Sequence, residues 1–428
     1  MKKKMISALL TMGMIVGLTA CSGGASEEGT GSGDEIVLEF PSWQATEPGF
    51  QEFWEAAVEE FESTHENVKI NLYQVPFDSY VDTLTTLYAA DTPPQITHIP
   101  SRYFAQFSEM GWFEPLNNRL EETDIIENWS SLQEGLQADG EYYGVLLLGN
   151  GYTLYYNKAM FDEAGLEVPT DAESFMEAAE KLTIDENGDG DPEVFGFGTC
   201  QVTDTNFYNE ASQFVVGMGG KWCENGDLSA MTSEETIQGL EMYQSLFENK
   251  WTPIGLSEEQ KRQYFVEGKM AMIFDGPWVA SLIEDASEDI KDDLLATRIP
   301  FDNVPGSMSN SLHIPASISD EEKDLVWEFI QMVSGEEFQQ LYMKDTSSPS
   351  PNKQAVNDEI LKENPFMDQF SKDAEEAQEI LPSGYEKDYG EFSQFVIDAV
   401  MKMTTEPYAD VEDTLNELKT QVTEELSE

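Results

Sequence analysis

Residues 36–96 read IVLEFPSWQATEPGFQEFWEAAVEEFESTHENVKINLYQVPFDSYVDTLTTLYAADTPPQI, and their hydrophobic rhythm changes period along the way. Ile36-Val37-Leu38-Glu39-Phe40 is a short β-rich run expected to end at Pro41. Phe50, Phe53, Trp54, Ala57, Val58 and Phe61 then recur at three- and four-residue spacing, which is the apolar stripe of a helix about three turns long. His65-Glu66-Asn67 breaks that stripe, and Val68, Ile70 and Leu72 alternate as a strand does. Asp78 or Ser79 is placed to cap a second helix bearing Tyr80, Val81, Leu84, Leu87 and Tyr88. Asp91-Thr92-Pro93-Pro94 stops it before a third strand near Ile96. Strand, helix, strand, helix, strand is the pattern of an α/β unit with a largely parallel sheet.

The same alternation continues to the C-terminus. Four capping boxes mark helix starts: Thr170 with Glu173, Thr232 with Glu235, Ser257 with Gln260, and Ser319 with Glu322. In each, a hydroxyl and a Glu or Gln side chain satisfy orphan backbone amides reciprocally. Patterning begins abruptly at Ile36, so the folded part runs from about Asp34 onward. That is about 395 residues, more than one hydrophobic core usually serves, and two lobes are expected.

Upstream, Lys2, Lys3 and Lys4 precede a mostly apolar run over 5–18 that ends in Leu18-Thr19-Ala20-Cys21. A basic start, a short apolar core and small residues at the cut site read as a secretory signal peptide over 1–20. A cysteine just after the small residues resembles the bacterial lipobox, which implies acylation of Cys21 and anchoring to the cell membrane from outside the cytoplasm. Residues 21–33 are rich in Gly and Ser and read as a flexible tether. An ordinary cleaved signal with an incidental cysteine is the alternative.

The chain carries 23 Lys and Arg against 83 Asp and Glu, a net charge of −60. Such a field repels phosphate backbones, which excludes nucleic acid, and it disfavours highly anionic ligands unless a local basic pocket exists. No lysine or arginine cluster follows Lys4. With Cys21 acylated, Cys200 and Cys223 are left, and spacing does not decide between a disulfide and two buried thiols. His65, His98 and His313 have no metal-ligand spacing, so a zinc site or a histidine-based triad is poorly supported. Asp185, Asn187, Asp189 and Asp191, with Gly190 between the last two, resemble a calcium loop. Gly196 stands where the bidentate glutamate belongs, and an Asn-Gly/Asp-Gly turn is the competing reading.

Phe40-Pro41-Ser42-Trp43, Tyr155-Tyr156-Asn157-Lys158 and Asp275-Gly276-Pro277-Trp278, with the motifs between them, stand in an order that resembles that of the family 1 extracellular solute-binding proteins, the carbohydrate-binding lipoproteins of ABC importers. Phe40-Pro41-Ser42-Trp43 is similar to the first strand and its aromatic loop, and Ala89-Ala90-Asp91-Thr92-Pro93-Pro94 to the turn after the second helix. Gly111-Trp112-Phe113-Glu114-Pro115-Leu116 and Gly140-Glu141-Tyr142-Tyr143-Gly144-Val145 follow in family order. Tyr155-Tyr156-Asn157-Lys158 with Phe161 and Ala164-Gly165-Leu166 comes next. After it come Phe265-Val266-Glu267-Gly268-Lys269-Met270-Ala271-Met272 and Asp275-Gly276-Pro277-Trp278. Gln95 and Leu147 depart from the usual aspartate and proline. The resemblance implies a two-lobed periplasmic-binding-protein-like α/β fold with a hinge and an interlobe cleft. Lobe 1 is expected over 34–145 with part of 280–345 returning to it. Lobe 2 is expected over 146–279, with part of 346–428 closing the cleft and packing on both lobes.

The implied function is capture of a neutral mono- or oligosaccharide by a monomer and its delivery to the transmembrane subunits of an ABC permease, with no catalysis and no cofactor beyond the calcium question. Sugars present hydroxyls and apolar C–H faces, so aromatic platforms and polar hydrogen-bonding groups suit them. Trp43 and Gln44, past the first strand, Asn150 beside the hinge, Trp278 after Gly276-Pro277, and Tyr389 are the candidate ligand contacts. Phe392 lies near the same C-terminal segment, and Trp54 reads as core. The rivals are an exported glycoside hydrolase, whose paired carboxylates need no local motif, and a binder of a cationic solute.

Overall fold

The computed structural model describes residues 35–47, 49–138 and 140–426. The expected signal segment, Cys21 and the tether lie outside the described residues. Eleven strands are described: β1 Ile36–Ser42, β2 Val68–Gln74, β3 Thr97–Pro100, β4 Gln137–Ala138, β5 Glu141–Tyr142, β6 Gly144–Gly151, β7 Thr153–Asn157, β8 Met272–Asp275, β9 Leu294–Arg298, β10 Val304–His313 and β11 Ala377–Glu379.

β1 and β2 pair in parallel from Ile36–Val68 to Ser42–Gln74, with helix Phe50–Thr64 as their crossover. The helix buries Phe50, Phe53, Trp54, Ala57 and Phe61, which is the stripe the spacing predicts. It starts at Gly49 because φ there is +81° and a Cβ would sit 2.3 Å from the Asp345 carbonyl oxygen. The parallel arrangement does not extend through the rest of this lobe. β10 runs antiparallel to β3 and β6, and β7 runs antiparallel to β8 and β9; β10 with β11 is the other parallel pair. Antiparallel partners need no crossover helix, so strands arriving from far along the chain can slot beside β3 and β6 directly.

Several local expectations shift. β1 continues through Pro41 to Ser42, because its pairing with β2 asks no donor of the proline. The second helix begins at Phe77 after Pro76, with no side-chain cap. The helix Ala172–Lys181 is capped by Asp171 with Ser174, one residue later than expected, because the carboxylate accepts the Ser174 amide at 2.8 Å. Ser233, not Thr232, caps Glu234–Glu248, while the boxes at Ser257 and Ser319 form as read. Gln95, in place of the usual aspartate, ties the turn to β1: its Oε1 accepts the Glu39 amide at 2.9 Å.

Two principal cores result. One draws on residues between 38 and 148 and between 312 and 342. The other draws on residues between 154 and 304 and between 385 and 422. The apolar residues of 145–148 pack in the first core, so the chain passes between cores at Tyr152 rather than after Val145. A second passage runs along β10, whose Val304 packs in the second core and whose Leu312 packs in the first. Cys200 and Cys223 are free and buried, and the Cys223 thiol donates to the Ser383 carbonyl at 3.1 Å. Among the described residues no helix is long and apolar enough to cross a membrane.

Candidate functional site

The ends of β1 and β3 deliver one wall of a cleft between the cores. Ser42 Oγ accepts the Gln44 amide at 3.1 Å and lies 3.0 Å from His98 Nδ1, which fixes the turn out of β1. Trp43 stacks on His98 with ring centroids 4.2 Å apart and meets Tyr80 edge-on at 4.9 Å. It is only 7% exposed, so the loop tryptophan expected to be a platform is held largely as packing. Gln44 is similarly engaged: its Oε1 accepts the Trp54 indole N–H at 3.2 Å. Burial keeps the His98 imidazole neutral, pushing it down to about 3. Just beyond β3, the Arg102 guanidinium lies over Phe77 and Tyr103, 5.4 and 5.2 Å from their ring centres.

The other wall is built on β8. Arg262 donates from Nε and Nη2 to the two oxygens of Asp275, both at 2.9 Å, and from Nη2 to Glu258 at 2.7 Å. Lys261, fully buried, meets Glu210 at 2.5 Å, Glu258 at 3.0 Å and Asp275 at 3.1 Å. Burial alone would raise Asp275, but Arg262 and Lys261 outweigh it and hold the carboxyl well below its usual range. Burial raises the Glu210 carboxyl against the opposing pull of Lys261. Cys200, Glu210 and Glu258 bring donor atoms together as a metal site would, but the Lys261 ammonium already supplies the positive charge there.

Asp275 Oδ1 also accepts the Trp278 indole N–H at 2.7 Å, and the Arg262 guanidinium lies 5.5 Å from the Trp278 ring centre. Trp278 is half-buried, with its polar edge anchored and part of its surface left free. Across from this wall, burial raises Glu47 of the β1 loop to about 7 while Arg262 pulls it down, so the two groups sense each other between cores.

Of the remaining candidates, Asn150 is buried near the end of β6, opposite Ser307 of β10. Tyr389 opens the helix Tyr389–Thr404, crosses Tyr208 at 5.5 Å and Tyr103 at 6.0 Å, and keeps a buried hydroxyl without a partner. Phe392 is core. Trp278 is thus grouped with Arg262 and Glu47, and Trp43 and Tyr389 are grouped with Phe77, Arg102 and Tyr103; Glu47, Phe77, Arg102, Tyr103 and Arg262 are the residues that sequence reading missed. Lys261-Arg262 was the available signal, an adjacent cationic pair inside a very acidic chain.

The 185–191 loop stands apart and is exposed. Asp185 accepts the Gly188 and Gly190 amides at 2.7 and 2.8 Å, Asn187 accepts Asp189 N, and Asp189 accepts Asp191 N, both at 2.9 Å. Lys250 Nζ donates to the Gly190 carbonyl at 2.6 Å. These bonds are those of the Asn-Gly/Asp-Gly turn. Surface hollows of about 570 Å³ around Gln95 and about 630 Å³ around Trp222 and Glu379 share none of the cleft residues.

The family model for bacterial extracellular solute-binding proteins matches residues 56–369. A binding protein of Brucella abortus (strain 2308) is 23% identical over 286 residues, which are 65% of this chain and 66% of that one, so the match spans just under two thirds of that relative's length. The diacetylchitobiose binding protein of Streptomyces coelicolor is 23% identical over 373 residues, 84% of each chain. Among solved structures, maltose-bound MalE3 of T. maritima superposes with a TM-score of 0.78 at 17% identity, covering 91% of this chain and 99% of that one.

Proposed function

The chain belongs to the bacterial extracellular solute-binding proteins, and from that premise we propose that it is the capture component of an ABC importer for a sugar or oligosaccharide. The observation that supports this reading is the cleft itself. A half-buried tryptophan anchored by Asp275 neighbours Arg262, which senses Glu47 of the other core, and that core also carries Arg102 beside Phe77 and Tyr103. Ring faces suit the C–H surface of a pyranose, and the buried Tyr389 hydroxyl is the kind of group a polyol pairs with. Lobe 1 is assigned to the first core with the returning 312–342 segment, and lobe 2 to the second core with the C-terminal helices. The crossings at Tyr152 and along β10 between Val304 and Leu312 serve as the hinge about which they close. Trp43, Gln44, Asn150, Trp278 and Tyr389 are assigned to the ligand site or its immediate support. A lipid on Cys21 would hold the protein, as a monomer, at the outer face of the cell membrane beside its permease.

Calorimetric titration of the mature protein with mono- and oligosaccharides, followed by chromatography of the mixture, tests the reading. Heat of binding with the saccharide recovered intact is the expected result. Released product would establish the hydrolase instead, and binding confined to polyamines would establish the cationic-solute reading.

A further inference from the structure

Among the described residues the other buried cations are matched with acid. Lys261 touches three carboxylates and Arg262 touches two. Arg102 is the exception. Its Nε is buried without a hydrogen-bond partner, its guanidinium shares a side-chain hydrogen bond with Tyr103, and the ionisable groups it senses most are the phenols of Tyr389, Tyr103 and Tyr152; among the described residues no carboxylate forms an ion pair with it. The residue is enclosed by protein yet keeps part of its surface accessible, as a residue lining an internal cleft does. In a chain with 83 Asp and Glu, leaving this one guanidinium without a carboxylate is unexpected, because a buried charge is costly unless a counter-charge reaches it.

We propose that Arg102 anchors an acidic group on the captured saccharide, a carboxylate of the hexuronate kind. The inference rests on the saccharide reading above and narrows it. Phe77 and Tyr103 flank the guanidinium, and the N–H groups not taken by the Tyr103 hydrogen bond are of the kind that pair with a carboxylate. The unpartnered Tyr389 hydroxyl, across from Tyr103, can donate to a remaining oxygen of the same sugar. The overall charge of −60 repels a polyanion at long range, so a single fixed cation in a low-dielectric cleft selects one acidic group rather than many.

The test is calorimetric titration of wild type with galacturonic and glucuronic acids and their di- and trisaccharides, with the methyl esters of the same sugars, with sulfated galacto-oligosaccharides, and with neutral malto-, chito- and galacto-oligosaccharides. A hexuronate sugar should bind about tenfold or more tightly than its methyl ester. Arg102→Gln should erase that ratio and Arg102→Lys should keep part of it, with circular dichroism verifying the fold. If Arg102→Gln does not fold, the acid-to-ester ratio of wild type decides alone. Preference for a sulfate ester over its neutral parent supports the anion anchor with sulfate as its source. Equal affinity for acid and ester, or binding of neutral sugars only, overturns the anchor while leaving saccharide capture standing. Absence of heat with every saccharide overturns both.

Discussion

Replacing Trp278 by alanine separates a ligand platform from a structural residue. In a fully buried position the change would cost about 3–5 kcal/mol of stability. Trp278 is only half-buried, and its polar contacts are one indole hydrogen bond to Asp275 and one guanidinium face contact with Arg262. Asp275 keeps Arg262, Lys261 and the Gly276 amide when the indole leaves, so its charge stays compensated and the lost bond is worth about 1 kcal/mol. The cation–π contact adds about 0.5–1 kcal/mol at this exposure. With partial loss of apolar burial, the stability cost should be about 2–3 kcal/mol. Loss of a stacking platform should weaken saccharide binding by about 1–3 kcal/mol, or roughly five- to a hundredfold. Chemical denaturation and calorimetric titration of Trp278→Ala beside Trp278→Phe measure both quantities. Phenylalanine keeps a ring without the N–H, so its affinity should lie nearer wild type than its stability does. Near-normal affinity in Trp278→Ala together with a stability loss above about 4 kcal/mol would refute the assignment.

Three further outcomes are expected. Lys261→Met leaves Glu210, Glu258 and Asp275 buried with Arg262 as their remaining cation, and should cost about 3–5 kcal/mol near pH 8. Carboxyls forced up in the folded state lose stability as pH rises above their unfolded range, so that deficit should shrink toward pH 5; a pH-independent deficit would count against the account. Glu47, raised to about 7 chiefly by burial, faces Arg262 and Tyr342, and the closed form should take up a proton there, so saccharide affinity should rise as pH falls through 7. Glu47→Gln should flatten that profile, and an unchanged slope would remove Glu47 from closure. Sodium chloride should raise the melting temperature by screening a net charge of −60, and calcium at equal ionic strength should add nothing if the 185–191 loop is the self-bonded turn observed. A calcium-specific rise would restore the metal reading.

Much of the first lobe could be read directly because each element there carries its own period. The stripe from Phe50 to Phe61 and the alternation from Val68 to Leu72 report one buried face each, and those faces meet the same core. What periodicity could not report is partner direction. β10 joins β3, β6 and β11 from the far side of the chain, and nothing in residues 97–100 announces an antiparallel neighbour more than two hundred positions away. Helix starts were misplaced where two capable caps stood side by side. Asp171 prevailed over Thr170 and Ser233 over Thr232 because the register of the following helix, set by Phe175 and Leu240 in the second core, selects one of them.

The site divided on a different physical ground. Trp278, just past β8 and after Gly276-Pro277, keeps part of its surface accessible, in keeping with a ring expected on a turn. Trp43 looked equivalent, yet His98 and Tyr80 close around it, and those partners arrive from other elements. Arg262 was missed since a helical cation in an acidic chain reads as solvated surface. Its position gives it two duties at once. It holds Asp275, which holds the indole of Trp278, and it faces Glu47 across the cleft. Opening the hinge would return Glu47 to water but leave Asp275 paired within its own lobe, so the platform stays formed while the opposite wall moves. A ligand would then meet a prepared aromatic surface on lobe 2, and closure would add Glu47, Phe77 and Arg102 from lobe 1. On the proposed closure, rigidity would reside in the buried ion cluster of the second core, and Arg102, whose Nε has no hydrogen-bond partner, would be the group of the first core that a ligand completes.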